Sequence, residues 1–417
     1  MLKIISKETV VNGEANPGGS KSVSNRMLIL RALAGVSMPI YNISQSNDTA
    51  ILIGLLKENP TEWNVQDAGT AARFSAAYLA TRQGEEHILT GTGRMLERPM
   101  KPLLDTLRYM GAEITYLEKE GYLPVSIKGN KLVGGHFKLP HDVSSQFVTA
   151  LALIAPFSSN DMVIEFDEFP LSAPYIQMTL NMLSDLYIHH EVIYHDHGGQ
   201  KITIFNGTPS FPSEYWIEQD WSSASYWYAA VALSDSGEIR LDGYTDESVQ
   251  GDKVVASMFD ALGVTTRFTE DGIVIKKTAK PESEDFEFDF SDYPDLAPTF
   301  AVVLPLLGIH AHFSGLHTLA HKESDRVAVL AENLDSLGIR ALVGNDGSTL
   351  EIFPAPKTLQ GNAVIRTHND HRMAMAFAPA VLRSGTLTID NPDAVSKSYP
   401  TYWEELKKIY KFSELSF

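Results

Sequence analysis

The sequence predicts an α/β protein of two lobes, each assembled from three copies of one βαβαββ-like unit. Three observations carry this prediction. A polar, often Ser- or Asp-rich start followed by a small-residue-rich apolar helix recurs six times along the 417 residues. The recurrences are almost evenly spaced. Each is followed by the same succession of elements: a short alternating strand, an amphipathic helix, then two strands around a polar turn. Domains usually run about 100–200 residues, so a chain of this length is expected to carry two.

The recurring helices are SKSVSNRMLILRALAG from Ser20, DAGTAARFSAAYLA from Asp67, SSQFVTALALIAP from Ser144, WSSASYWYAAVAL from Trp221, DLAPTFAVVLPLLG from Asp295 and NDHRMAMAFAPAVL from Asn369. Marked at Lys21, Thr70, Ser145, Ser222, Ala297 and His371, they are 49, 75, 77, 75 and 74 residues apart, so the first unit is about 26 residues short. The strands PIYNI, EHILTG, MVIEF, EIRLDG, AHFSG and TLTID come next. Amphipathic helices such as PLLDTLRYMGA and RVAVLAENLDSLGI follow, their ends marked at Gly111, Leu186, Gly263 and Gly338. Strand pairs such as EITYLEKEGYLPVSIKG and TTRFTEDGIVIKK close the units. The sixth unit stops after its second helix, YWEELKKIYKF, leaving the N-terminal strand to supply part of what is missing. That places residues 1–18 with 219–417 in one lobe and 19–218 in the other, with chain crossings near 17–19 and 214–219 and a cleft between the lobes.

Composition narrows the function. There are 52 acidic against 34 basic side chains, a formal charge of −18, no cysteine and 44% hydrophobic residues. Disorder is excluded, as are disulfides, thiolate metal sites and thiol nucleophiles. The negative charge argues against a nucleic-acid or anionic-membrane partner, which demands a basic face. The start MLKIISKETVVNG lacks the pattern of a signal peptide, and the most apolar run, 301–309, is broken by Pro305 and far short of a membrane span. A soluble, cytoplasmic protein is expected.

The helix starts suggest the chemistry. A helix N-terminus carries unpaired N–H groups and roughly half a positive charge, so it attracts anions. Simple N-capping accounts for Ser20, Ser144 or Ser222 taken singly. It does not account for cations, which are disfavoured in a first turn, yet Lys21, Arg26, Arg73 and Arg372 lie in these helices. Arg98, Lys322, Arg326 and Lys397 stand at or before the starts of second helices. Cations gathered at helix starts indicate a bound polyanion. In HKESDR and NDHRMAM, Glu323 beside Lys322 and His371 beside Arg372 read as acid–base groups among anion clamps, or alternatively as ion pairs. Asp295 reads equally as an N-cap. No metal-binding spacing is present among the 13 histidines; His189, His190, His195 and His197 fall in a strand-pair region and are expected at the surface. No Walker loop and no GxGxxG after a strand is found, so no nucleotide cofactor is expected.

These strings, GSKSVSNR (19–26), AGTAAR (68–73), ERP (97–99), SSQF (144–147), KESDR (322–326) and NDHRMAM (369–375), resemble in order and combination the 5-enolpyruvylshikimate-3-phosphate (EPSP) synthase family of enolpyruvyl transferases, over roughly residues 15–406. The resemblance implies the two-domain inside-out αβ barrel, with six βαβαββ-like repeats, three per domain. It also implies transfer of the enolpyruvyl group of phosphoenolpyruvate to the 5-hydroxyl of shikimate 3-phosphate without a cofactor or metal, in a monomeric enzyme of aromatic amino-acid biosynthesis.

Carried over by motif, Ser144, Ser145 and Ser172 would hold the shikimate phosphate, with Gln146 and Tyr175 along the ring, Ser22 and Arg26 at the carboxylate, and Lys322 reaching the same substrate. Lys21, Gly69, Arg98, Arg326, Arg372 and Lys397 would clamp phosphoenolpyruvate, bridged by Gln146. Asp295 would face the reacting hydroxyl as base, Lys21 and Glu323 would deliver a proton to the methylene carbon, and His371 would assist Glu323. Three departures stand out: Asp67 where the family usually has Asn, Ala320 where it commonly has Arg, and the shortened first unit. Two rivals remain, a UDP-N-acetylglucosamine enolpyruvyl transferase and a non-catalytic phosphometabolite-binding paralogue. The first typically carries a catalytic Cys, which this chain lacks; retention of Lys21, Asp295, Glu323 and His371 opposes the second.

Overall fold

The computed structural model describes residues 1–6, 9–196, 198–410 and, as backbone, 412–416. The chain divides into two compact units, Met1–Gly18 with Glu218–Phe417, and Gly19–Ile217. The crossings thus fall at 18/19 and 217/218, the second one residue before the position read from the sequence.

In the unit Gly19–Ile217, three helices pack on one another: Lys21–Ala34, Gly69–Ala80 and Ser145–Ile154. Their small and apolar residues are needed because these helices are covered on nearly every face; of Gly69–Ala80, only Thr70 is not buried. Two four-stranded sheets lie around them. One runs Glu62–Asn64, Glu86–Thr90, Val125–Lys128, Glu113–Tyr116; the other runs Gly135–Lys138, Met162–Phe166, Gln200–Ile204, His190–Tyr194. In both, the first pair is parallel and the remaining pairs are antiparallel. The shortened first repeat has only a parallel pair, Tyr215–Trp216 with Ile40–Tyr41, and its helix Asn47–Glu58 leads straight to Glu62–Asn64.

The other unit follows the same plan. Helices Trp221–Leu233, Ala297–Leu306 and His371–Phe377 pack together, buried on nearly all sides. Its three sheets run Val10–Ala15, Ser236–Asp242, Gly272–Lys277, Val264–Thr269; then Asp285–Asp289, His310–Ser314, Leu350–Ile352, Ala341–Val343; then Ala363–Ile365, Thr386–Ile389, Leu2–Ser6, Phe412–Ser416. Each again opens with a parallel pair and continues antiparallel. The last sheet corrects the sequence reading, in which the chain ended after its second helix. Strand Phe412–Ser416 follows that helix, and the two ends of the chain together form the closing antiparallel pair.

The two crossings exchange leading strands. Val10–Ala15 precedes the first helix in the chain but pairs with Ser236–Asp242, while Tyr215–Trp216 precedes Trp221–Leu233 but pairs with Ile40–Tyr41. Just past the second crossing, the Glu218 carboxylate accepts from Gln250 Nε2 at 2.7 Å, Ser248 Oγ at 2.9 Å and the Val249 N–H at 3.3 Å, tying the entering strand to the loop beside the helix start. One helix-end marker also shifts. Gly111, Gly263 and Gly338 have positive φ, and the matching residue in the remaining unit is Tyr187 at φ 62°, not Leu186. That residue leaves the helix in the left-handed conformation without glycine, and it is largely solvent-exposed.

Candidate active site

In the unit Gly19–Ile217 the three central helices begin without carboxylates. Ser20 Oγ accepts from the Val23 N–H at 3.4 Å, and Ser144 Oγ accepts from the Gln146 N–H at 3.3 Å. Gly69 starts its helix after Ala68, which makes no side-chain cap, and no first turn holds an acid. The positive ends of these helices are therefore not neutralised by their own caps. Gln146 Nε2 donates to Thr70 Oγ1 at 3.2 Å and so ties two of the starts together. Its Oε1 is buried with no hydrogen-bond partner among the described residues.

Cations surround these starts. The Arg98 guanidinium lies directly over Gly69, where a Cβ would come within 2.9 Å of its Cζ. Arg73 lies close to the same point, donating to the Gly69 carbonyl at 3.1 Å and the Pro99 carbonyl at 3.3 Å. Lys21 pairs with the buried Asp48 at 3.2 Å. Arg26 is buried and donates to the Ser22 carbonyl at 2.9 Å, the Tyr175 carbonyl at 3.0 Å, Thr179 Oγ1 at 2.8 Å and Thr149 Oγ1 at 3.3 Å. Every one of those acceptors is neutral. Burial without a carboxylate pulls Arg26 down to about 10. Ser172, buried and left-handed at φ 58°, opens the helix Ala173–Asp185 that carries Tyr175. A left-handed non-glycine residue costs of order 1–3 kcal/mol and concentrates at ligand sites.

The other unit is built differently, around one guanidinium. Arg326 is fully buried; it meets Asp370 Oδ2 at 2.8 Å, Glu323 Oε2 at 2.7 Å and Asp295 Oδ1 at 2.9 Å. Arg372 meets Asp295 Oδ2 at 2.6 Å and Tyr226 Oη at 3.1 Å, and Lys322 Nζ stands 3.7 Å from Asp295 Oδ1. Burial alone would raise Asp295, but Arg372, Lys322 and Arg326 together hold it well below the usual carboxylate range. Asp295 is thus no cap: Leu296 occupies that position with no side-chain bond. Asp370 is the cap of the helix His371–Phe377, accepting from the Arg372 N–H at 3.0 Å as well as from Ser324 Oγ at 3.1 Å. His371 is buried, with Nδ1 3.8 Å from Asp370 Oδ1. Lys397 is buried at the end of the 3₁₀ segment Pro392–Lys397, which packs on that helix. The fourth helix starts from Asp220, not Ser222; Ser222 Oγ instead donates to the buried Asp252. Burial and the neighbouring Asp295 push Asp252 up to about 6.

The predicted residues therefore form two sets. Lys21, Ser22, Arg26, Gly69, Arg98, Ser144, Ser145, Gln146, Ser172 and Tyr175 belong to one unit, and Asp295, Lys322, Glu323, Arg326, His371, Arg372 and Lys397 to the other. The first set gathers cations around helix starts that hold no carboxylate. In the second, Arg326 and Arg372 are matched by carboxylates and Lys322 lies 3.7 Å from one, so an anion that drew Arg372 or Lys322 away would leave Asp295 with a higher proton affinity. Asp48, Tyr226, Asp252 and Asp370 were not assigned from sequence. Asp370 was within reach, because it adjoins His371 in the same motif; Tyr226 and Asp252 carry no local signal. Asp67 lies exposed in the turn before Gly69, and Ala320 lies in the 3₁₀ segment His317–His321. His197 lies outside the described residues, and among those described no group of three or more His, Asp or Glu could hold a metal ion. No described helix is long and apolar enough to cross a membrane.

The fold is that of the EPSP synthases. A solved EPSP synthase from Acinetobacter baumannii matches 100% of this chain and 99% of its own with a TM-score of 0.75, at 20% sequence identity. The sequence then fixes the family. The family model described as EPSP synthase (3-phosphoshikimate 1-carboxyvinyltransferase) matches residues 51–406, and the chain belongs to that family. A 3-phosphoshikimate 1-carboxyvinyltransferase of Bacteroides fragilis is 38% identical over 98% of both chains, and one of Histophilus somni is 34% identical over 96% of this chain and 97% of the relative.

Proposed function

We propose that this chain transfers the enolpyruvyl group of phosphoenolpyruvate to the 5-hydroxyl of shikimate 3-phosphate, releasing inorganic phosphate. Carbon C3 of the enol takes a proton and becomes a methyl group, while the hydroxyl oxygen bonds to C2 and gives its proton to a base. The tetrahedral intermediate then loses a methyl proton as the C2–O bond to phosphate breaks, restoring the vinyl group. No redox or carrier group enters this balance.

Asp295 takes the hydroxyl proton once substrate anions have drawn Arg372 and Lys322 away. Lys21 and Glu323 are the donors to C3, and His371 supports Glu323. Ser144, Ser145, Ser172, Gln146, Tyr175, Ser22, Arg26 and Lys322 hold shikimate 3-phosphate; Lys21, Gly69, Arg98, Gln146, Arg326, Arg372 and Lys397 hold phosphoenolpyruvate. The six-repeat, inside-out αβ barrel is the finer fold reading that the common strand plan of the five four-stranded sheets supports. A monomer acting in the cytoplasm completes the proposal.

The observation that carries the reading is the contrast between the two units: in one, a buried Arg26 bonded only to neutral acceptors, with central helix starts that hold no carboxylate; in the other, an Asp295 bonded to Arg326 and Arg372 with Lys322 close by. Phosphate release measured with both substrates tests it. Release that requires shikimate 3-phosphate supports the proposal. Release with UDP-N-acetylglucosamine instead, or none with either acceptor, sinks it and points to one of the two rivals.

A further inference from the structure

The two buried arginines of the Asp295 cluster are held in different ways. Arg326 is gripped by three carboxylates, those of Asp370, Glu323 and Asp295, and is a fixed cation. Arg372 donates from Nη2 to Asp295 Oδ2 at 2.6 Å and from Nη1 to the Tyr226 hydroxyl at 3.1 Å. Tyr226 is 1% exposed, and its ring is wedged edge-on against Tyr402 at 6.0 Å. We infer that Tyr226 is a positioning residue: its neutral hydroxyl keeps hold of Arg372 Nη1 while Nη2 turns from Asp295 to the incoming substrate anion. The inference rests on the function proposed above, in which that anion is phosphoenolpyruvate.

A neutral acceptor suits this task better than a charged one. A carboxylate in place of the Tyr226 hydroxyl would compete with the substrate for Arg372; a phenol orients the guanidinium without neutralising it. Burial pushes the Tyr226 hydroxyl up to about 12, so it stays uncharged at any working pH. Its own hydrogen has no acceptor among the described residues, which leaves that donor available when the anion arrives. Neither feature is needed for packing, since phenylalanine would fill the same space.

The test is Tyr226→Phe, with Tyr228→Phe as control. Tyr228 lies on the same helix, equally buried, and its hydroxyl meets Thr266 Oγ1 at 2.7 Å, far in sequence from any site residue. Hydrogen bonds to charged groups are worth enough that Y226F is expected to raise the KM for phosphoenolpyruvate about tenfold. The dissociation constant for shikimate 3-phosphate alone should stay within twofold, and Y228F should leave both unchanged. A phosphoenolpyruvate KM within twofold of wild type overturns the inference. So does a parallel weakening of both substrates, or an equal effect from Y228F, because either would reveal a merely structural role. A wild type that turns over neither substrate overturns the proposed function and this inference together; a normal wild type with an unaffected Y226F overturns the inference alone.

Discussion

Asp295→Asn separates two effects that one carboxylate now combines. The substitution keeps the side-chain volume but removes the proton acceptor, and with it the charge that occupies Arg372 at 2.6 Å, Arg326 at 2.9 Å and Lys322 at 3.7 Å. Loss of a positioned general base should lower kcat by about 10²–10⁴. Ground-state binding should move the other way. A hydrogen bond between charged partners contributes about 1.5–3 kcal/mol, and the Asn carbonyl recovers part of it as a neutral acceptor. Freeing Arg372 and Lys322 therefore returns about 1.5 kcal/mol to the incoming anion, or about a tenfold lower Kd for phosphoenolpyruvate. Arg326 keeps Asp370 and Glu323 at 2.8 and 2.7 Å, so the fold survives the change. Phosphate release gives kcat, and calorimetric titration of the idle variant with phosphoenolpyruvate in the presence of shikimate 3-phosphate gives Kd. A kcat within tenfold of wild type would refute Asp295 as base. A Kd that weakens in step with kcat would refute the competition between carboxylate and substrate.

The other predictions use neighbouring contacts. Gly69→Ala puts a methyl group against two guanidinium groups, its Cβ coming within 2.9 Å of Arg98 Cζ and 3.0 Å of Arg73 Nη1, so that Arg98 has to shift; the KM for phosphoenolpyruvate should rise several-fold, and an unchanged KM would show that Arg98 does not bind there. Asp252 binds its proton more tightly folded than unfolded, its pKa rising from 3.8 to about 6, so its ionisation costs stability as pH climbs through that window. Asp252→Asn should then be more stable than wild type by up to about 3 kcal/mol above pH 6 and no different below pH 4, in urea denaturation at the two pH values; equal stability at pH 7.5 would contradict this. Lys21→Met should abolish turnover as fully as D295N, although the two residues belong to different units; retention of more than a tenth of wild-type kcat would remove Lys21 from the mechanism.

Periodicity made much of the architecture legible. Buried helices at near-constant spacing and a short first step led to two α/β units, because a helix apolar on all faces has to be central. The closing strand Phe412–Ser416 is not legible in the sequence: five residues after an amphipathic helix have no pattern of their own, and their partner, Leu2–Ser6, lies at the opposite end of the chain. Within the site, the cations could be read because Lys and Arg are out of place at helix starts. Their partners could not. Tyr226 looks like any core aromatic of an apolar helix, and Asp252 like any polar residue of a turn; only folding brings them to Arg372 and Ser222. Asp295 was legible as a candidate, yet its role as the common acceptor of two arginines depends on contacts 31 and 77 residues away in sequence.

The most direct test of the whole account is a product assay on the wild-type protein with shikimate 3-phosphate and phosphoenolpyruvate together. The account predicts one inorganic phosphate released for each enolpyruvyl ether formed at the 5-hydroxyl, seen in phosphorus NMR and by mass, with no release when either substrate is omitted. Phosphate released without the ether, or no reaction at millimolar concentrations of both, would contradict it.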